Sequence, residues 1–82
     1  MALTLVLEQE ADTPAACRYT FGPPGTTVGR VALQKESGDI EVLSLSDPEE
    51  GPSAQFCLGQ VIPRLQSFHE DARFPRRTEW TV

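Results

Sequence analysis

Asparagine is missing from this chain altogether, and methionine, tryptophan, tyrosine, histidine and lysine each occur once. Cations are scarce: seven Lys and Arg stand against twelve Asp and Glu, a formal net charge of −5 at pH 7. A nucleic-acid surface needs clustered cations to displace counterions from phosphates, and this balance does not supply them. Long apolar runs are lacking too. The apolar opening Ala2–Leu7 falls far short of the ~20 residues that cross a bilayer. It has no basic leader and runs into Glu8 instead of a small-residue cleavage site, so neither a membrane partner nor export is expected. Only two cysteines occur. Without export, Cys17 and Cys57 are expected as unpaired thiols in a cytoplasmic protein. Two Cys and one His also fall short of the four ligands of a structural zinc, and no cofactor is expected.

What is present suffices for one domain spanning residues 1–82. Apolar residues make up 39% of the chain, which suits a globular protein and is too apolar for a disordered one. A chain this short buries only about 60–65% of its unfolded surface, so nearly every apolar side chain must serve the core. The charge is uneven. Up to Glu50, nine acids face Arg18, Arg30 and Lys35, a balance of −6, whereas the remainder carries +1. An acidic body of this kind can steer toward a basic partner.

Leu3-Thr4-Leu5-Val6-Leu7 places leucine at every second position, the pattern of a strand with one buried face. Ala11–Ala16 reads as a loop, and Cys17, Tyr19 and Phe21 alternate with Arg18 and Thr20 in a second strand. Gly22-Pro23-Pro24-Gly25 must turn, because proline fixes φ and cannot extend a ladder. It lacks the lysine of a phosphate-binding loop. Thr27–Gln34 and Ile40–Leu45 flank a short loop containing Gly38, which predicts a hairpin. Asp47–Pro52 forms a further, acidic loop.

Between Ser53 and Arg73, the residues Ala54, Leu58, Val61, Leu65, Phe68 and Ala72 recur at helical spacing. Ser53 is a suitable N-cap, with Glu49 and Glu50 just upstream where a helix dipole favours them. Pro63 leaves two outcomes open: one kinked helix, or a helix beginning near Pro63 after an extended segment. Phe74-Pro75 is expected to end it. Arg77–Val82 then closes as a strand with Thr78, Trp80 and Val82 on one side. The fold class expected is α+β: a small, mainly antiparallel sheet in the order β-β-β-β-α-β, with the helix packed on one face.

Few residues invite chemistry. His69-Glu70-Asp71 joins a histidine to carboxylates, but successive helical side chains diverge by about 100°, and the i+4 neighbour is Arg73. A solvated helix end is the expectation. Cys17 shares its face with Tyr19 and Phe21 and reads as a small buried hydrophobe. Cys57 has no basic neighbour, so a Cys/His enzyme has little to rest on. Arg73, Arg76 and Arg77, with Arg64 upstream, could grip an anion or an acidic peptide, or could compensate the acidic remainder of the fold. Trp80 is expected in the core, with an interface role as the alternative.

Gly25-Thr26-Thr27-Val28-Gly29-Arg30, then Asp39-Ile40-Glu41-Val42-Leu43, then Ser46-Asp47-Pro48 resembles the opening of a forkhead-associated, phosphothreonine-binding domain. That resemblance covers the middle third of the chain. It implies an all-β sandwich in which Arg30 and Ser53 would contact phosphate. The sequence departs from the pattern where a histidine is expected, reading Ser53-Ala54-Gln55-Phe56, and it has no Asn-Gly element. The residue-level reading is instead a non-enzymatic interaction module whose acidic surface or open sheet edge meets another protein.

Overall fold

The structure, a computed structural model, describes residues 3–82; Ala2, the first residue of the apolar opening, lies outside them. Five strands and one helix follow in the expected order: β1 (Thr4–Asp12), β2 (Ala16–Gly22), β3 (Gly29–Gln34), β4 (Ile40–Leu45), α1 (Ala54–Asp71) and β5 (Arg77–Thr81). The strands form one antiparallel sheet, ordered β4-β3-β2-β1-β5. The first four strands meander, and α1 carries the chain across one face so that β5 pairs with β1. The chain is therefore α+β, not the all-β sandwich that the middle third suggested.

The leucine alternation decides which face is covered. Leu5 and Leu7 of β1, Cys17, Tyr19 and Phe21 of β2, and Val31 and Leu33 of β3 are all buried beneath α1. From the helix, Ala54, Cys57, Val61 and Leu65 meet them. Burying each large aliphatic side chain contributes about 1.5–3 kcal/mol, which makes this layer the main source of stability. Leu58 and Phe68 pack at its margin. Ala72 is exposed, and Cys57 takes the place in the stripe that the spacing had not assigned to it.

α1 is continuous through Pro63. The acceptor that proline deprives of a partner is the Gly59 carbonyl, and both residues are exposed, so water replaces the lost bond. At the N-terminus Ser53 adopts extended backbone, and its Oγ accepts the Phe56 N–H at 3.2 Å. Asp47, not Glu49 or Glu50, supplies the first acidic contact, accepting the Ala54 N–H at 2.8 Å. The helix stops before Phe74-Pro75. Ala72 turns left-handed (φ 53°, ψ 36°), its N–H donates to His69 O at 3.2 Å, and the Arg73 N–H donates to Phe68 O at 3.1 Å. Such a reversal satisfies the last carbonyls and is usually left to glycine.

Strand limits differ from the sequence reading by one to a few residues. Ala11 and Asp12 extend β1 and Ala16 opens β2, because a bulge between Gln9 and Ala11 lets pairing continue to Asp12 and Cys17. β3 begins at Gly29, although Val28 is buried ahead of it.

Two substitutions test this layer by urea unfolding. Leu65→Ala leaves a void between helix and sheet and should cost about 3 kcal/mol. Ala72→Gly relieves the left-handed residue and should add about 0.5–1 kcal/mol. A destabilising Ala72→Gly would show that the helix end is not held as described.

Candidate functional site

The four arginines considered for anion or partner contact fall in two places. Arg30 of β3 and Arg77 of β5 lie on the uncovered face, in one row that crosses all five strands as Ser44, Arg30, Thr20, Glu8 and Arg77. Each is occupied by carboxylates: Arg30 Nη2 lies 3.5 Å from Glu10, and Arg77 lies 3.4 Å from Glu8 and 2.9 Å from Glu79. These exposed pairs contribute about 0–1 kcal/mol each, so they temper the charge of the face more than they stabilise it. Arg73 and Arg76 sit in the exposed connection between α1 and β5, and no ion pair to either is found among the described residues. Arg64 lies over the Trp80 ring, 4.9 Å from its centroid, and Trp80 packs half-buried against the core margin.

Ser53 is engaged as the helix cap, whereas Arg30 stands on the opposite face of the sheet from the helix. Cys17 is fully buried, and its Sγ accepts a hydrogen bond from Gln9 Nε2 at 3.0 Å. Cys57 is equally buried, and desolvation pushes its thiol pKa up, away from the reactive thiolate. His69 is half-buried. Its ring meets the Glu36 carbonyl at 3.2 Å and lies so close to Gly38 (φ 80°) that a Cβ there would stand 2.7 Å from Nδ1. The histidine thus clasps the β3–β4 turn to the end of the helix. Among the described residues, no three His, Cys, Asp or Glu side chains converge as metal ligands would.

An open hollow of about 340 Å³ lies on the uncovered face beside the Gly22–Thr27 turn, bordered by Glu8, Thr20 and Arg77. Its polar groups already serve one another, since Glu8 and Arg77 are the pair just described.

The edge of the sheet offers more. All of β4 except its two terminal residues is exposed, including Val42 and Leu43 at 42% and 41%. A register shift opposite Arg30 and Val31 marks a bulge at Leu43. The Gln34 N–H donates to Asp39 O and the Ser46 N–H to Val28 O, both at 2.8 Å. These bonds set the phase of the ladder and leave the backbone groups of Ile40, Val42 and Leu45 directed away from β3. The β5 edge is different. There Gln9 N–H to Arg76 O and Val82 N–H to Leu3 O, both at 2.7 Å, leave Arg77, Glu79 and Thr81 outward. Charged side chains on an edge deter further pairing. β4 has one charge, Glu41, and neither lysine nor proline.

Sequence spacing found the strand but not its edge position. The adjacent apolar pair Val42-Leu43, which interrupts the alternation, was the available sign of the bulge. Compared with known proteins, the chain matches no family model, no curated protein and no solved structure.

Tyr19 joins the sheet to the connection before β5: its hydroxyl donates to Pro75 O at 2.8 Å and its ring lies 5.7 Å from that of Phe68. Burial raises its pKa well above the ordinary value of 10.0, with the neighbouring Cys17 adding to the shift. The folded state therefore favours the neutral phenol; that contribution is complete below pH ~10 and is lost as pH rises beyond it. Unfolding free energy should fall through that alkaline range. Tyr19→Phe should flatten the decline while costing about 1–2 kcal/mol at neutral pH, because the Pro75 carbonyl loses its donor. An unchanged alkaline slope would show that Tyr19 is not the group responsible.

Proposed function

We propose that this chain is a non-enzymatic protein-interaction module that receives its partner at the β4 edge. The observation that carries this reading is the exposed strand Ile40–Leu45, whose apolar side chains and outward backbone groups lie beside the covered core. Solvent-exposed edge strands are templates for pairing with another chain, and proteins that do not use them generally blunt them. β5 carries two charges, Arg77 and Glu79, whereas β4 carries one, Glu41, and keeps Val42 and Leu43 exposed at a single bulge. The unpaired, buried thiols of Cys17 and Cys57 suit a reducing compartment, so the cytoplasm is the proposed location. The described residues contain no helix long and apolar enough to cross a membrane.

Affinity capture from cells that express the chain, followed by hydrogen exchange on the purified complex, tests the reading. The expected result is one contiguous protected patch that includes β4. Protection scattered evenly over the surface, or none, would refute a dedicated binding role.

A further inference from the structure

The surroundings of β4 specify the chemistry of its partner. From Glu36 to Pro63 the chain carries Glu36, Asp39, Glu41, Asp47, Glu49 and Glu50 and has no Lys, Arg or His. This stretch holds the β3–β4 turn after Lys35, β4 itself, the following loop and the first half of α1. The nearest cation across the ladder is Arg30, opposite Ser44, and it is paired with Glu10. Lys35, at the start of the β3–β4 turn, is paired with Asp12, and His69 lies at the carbonyl of Glu36. The apolar edge thus lies within an acidic stretch of chain, of which Asp47 already serves the Ala54 amide.

The helix supplies a second feature. Arg64, on one flank of α1, reaches Trp80 of β5, while His69, on the other flank, reaches the β3–β4 turn. At about 100° per residue, Ile62 and Leu58 fall on the His69 flank, above β4. Leu58 packs at the core margin, and Ile62 is half-buried outside the core cluster. A strand added to β4 would lay every second side chain toward this flank and the others toward the uncovered face, where Glu41 and Ser44 lie.

We infer that the β4 edge binds an extended, basic segment of another protein that alternates apolar residues with Lys or Arg. This rests on the interaction-module reading and assigns its ligand. Main-chain bonds to Ile40, Val42 and Leu45 give the segment its register. Its apolar side chains seat against Val42, Leu58 and Ile62, and its cations face Glu41 and the acidic stretch around it. A second copy of this chain fits poorly, since edge-to-edge pairing would bring both sets of carboxylates together.

The probe is a capped peptide of about six residues alternating valine and lysine, matched to the length of β4. It is titrated into the isotope-labelled full chain beside peptides that replace lysine with glutamate or valine with glycine. Amide shifts should concentrate on Ile40–Leu45, Leu58 and Ile62 for the valine–lysine peptide alone, and exchange at Ile40, Val42 and Leu45 should slow. Val42→Pro removes an outward N–H without breaking a ladder bond and should weaken binding about tenfold or more. Glu41→Lys, which leaves the strand backbone intact, should reverse the preference toward the glutamate peptide. Absence of a saturable shift at peptide concentrations on the order of millimolar, equal binding of the glycine–lysine peptide, or shifts confined to the Glu8–Arg77 side would overturn the inference. Protection of β4 that rises with protein concentration and needs no peptide would assign the edge to a second copy. That result also overturns the basic ligand, yet it leaves a binding role for the edge standing.

Discussion

Burial of Leu5, Leu7, Tyr19, Phe21, Val31 and Leu33 under one flank of α1 is the constraint from which the other features follow. The five-stranded sheet is open, with β4 and β5 at its two edges, and a single helix covers only one of its faces. The opposite face must therefore be polar, and the row from Ser44 to Arg77 is so. Both outer strands are left without neighbours. Because α1 spans the sheet between β4 and β5, the helix ties the two edges together through the core while pairing with neither.

The ends of α1 show how firmly the covering layer is held. Ser53 and Asp47 satisfy its first amides, and Ala72 and Arg73 close its last carbonyls. Beyond it, Tyr19 and Gln9 reach from the sheet to the carbonyls of Pro75 and Phe74 at 2.8 and 3.3 Å. Those two bonds fix the connection that delivers β5 to β1. Lys35 adds an ion pair with Asp12 and lies 5.1 Å from the Phe74 ring centroid, drawing the same end of the sheet together. The polar groups inside the fold thus position the chain crossing, and the uncovered face and the β4 edge remain for other uses.

The alternation in Leu3–Leu7 and Cys17–Phe21, and the helical spacing from Ala54 to Phe68, make the element order and the covered face legible in the sequence. Cys57 was not assigned to the core because a thiol invites a chemical reading, although it behaves there as a small apolar side chain. Pro63 raised a break that did not occur, since helical periodicity turns it to solvent, a position where a missing hydrogen bond costs least. Asp47 was passed over as a cap because it lies seven residues before its partner amide, across a loop whose path local spacing does not give. The same limit applies to the candidate site. Strand order decides which strand is an edge, and order is a long-range property; the Val42-Leu43 pair signals the bulge in β4 but not its place in the sheet. The arginines were visible as charges, but their carboxylate partners come from β1 and β5, up to 69 residues away.

If α1 and the central strands form one cooperative layer, native-state amide hydrogen exchange should report a single opening free energy for Val61 and Leu65 in the helix and for Leu7, Tyr19 and Leu33 in the sheet. Exchange of the helix amides far ahead of the sheet amides would contradict the account, because the sheet's apolar face would then owe its protection to something other than α1.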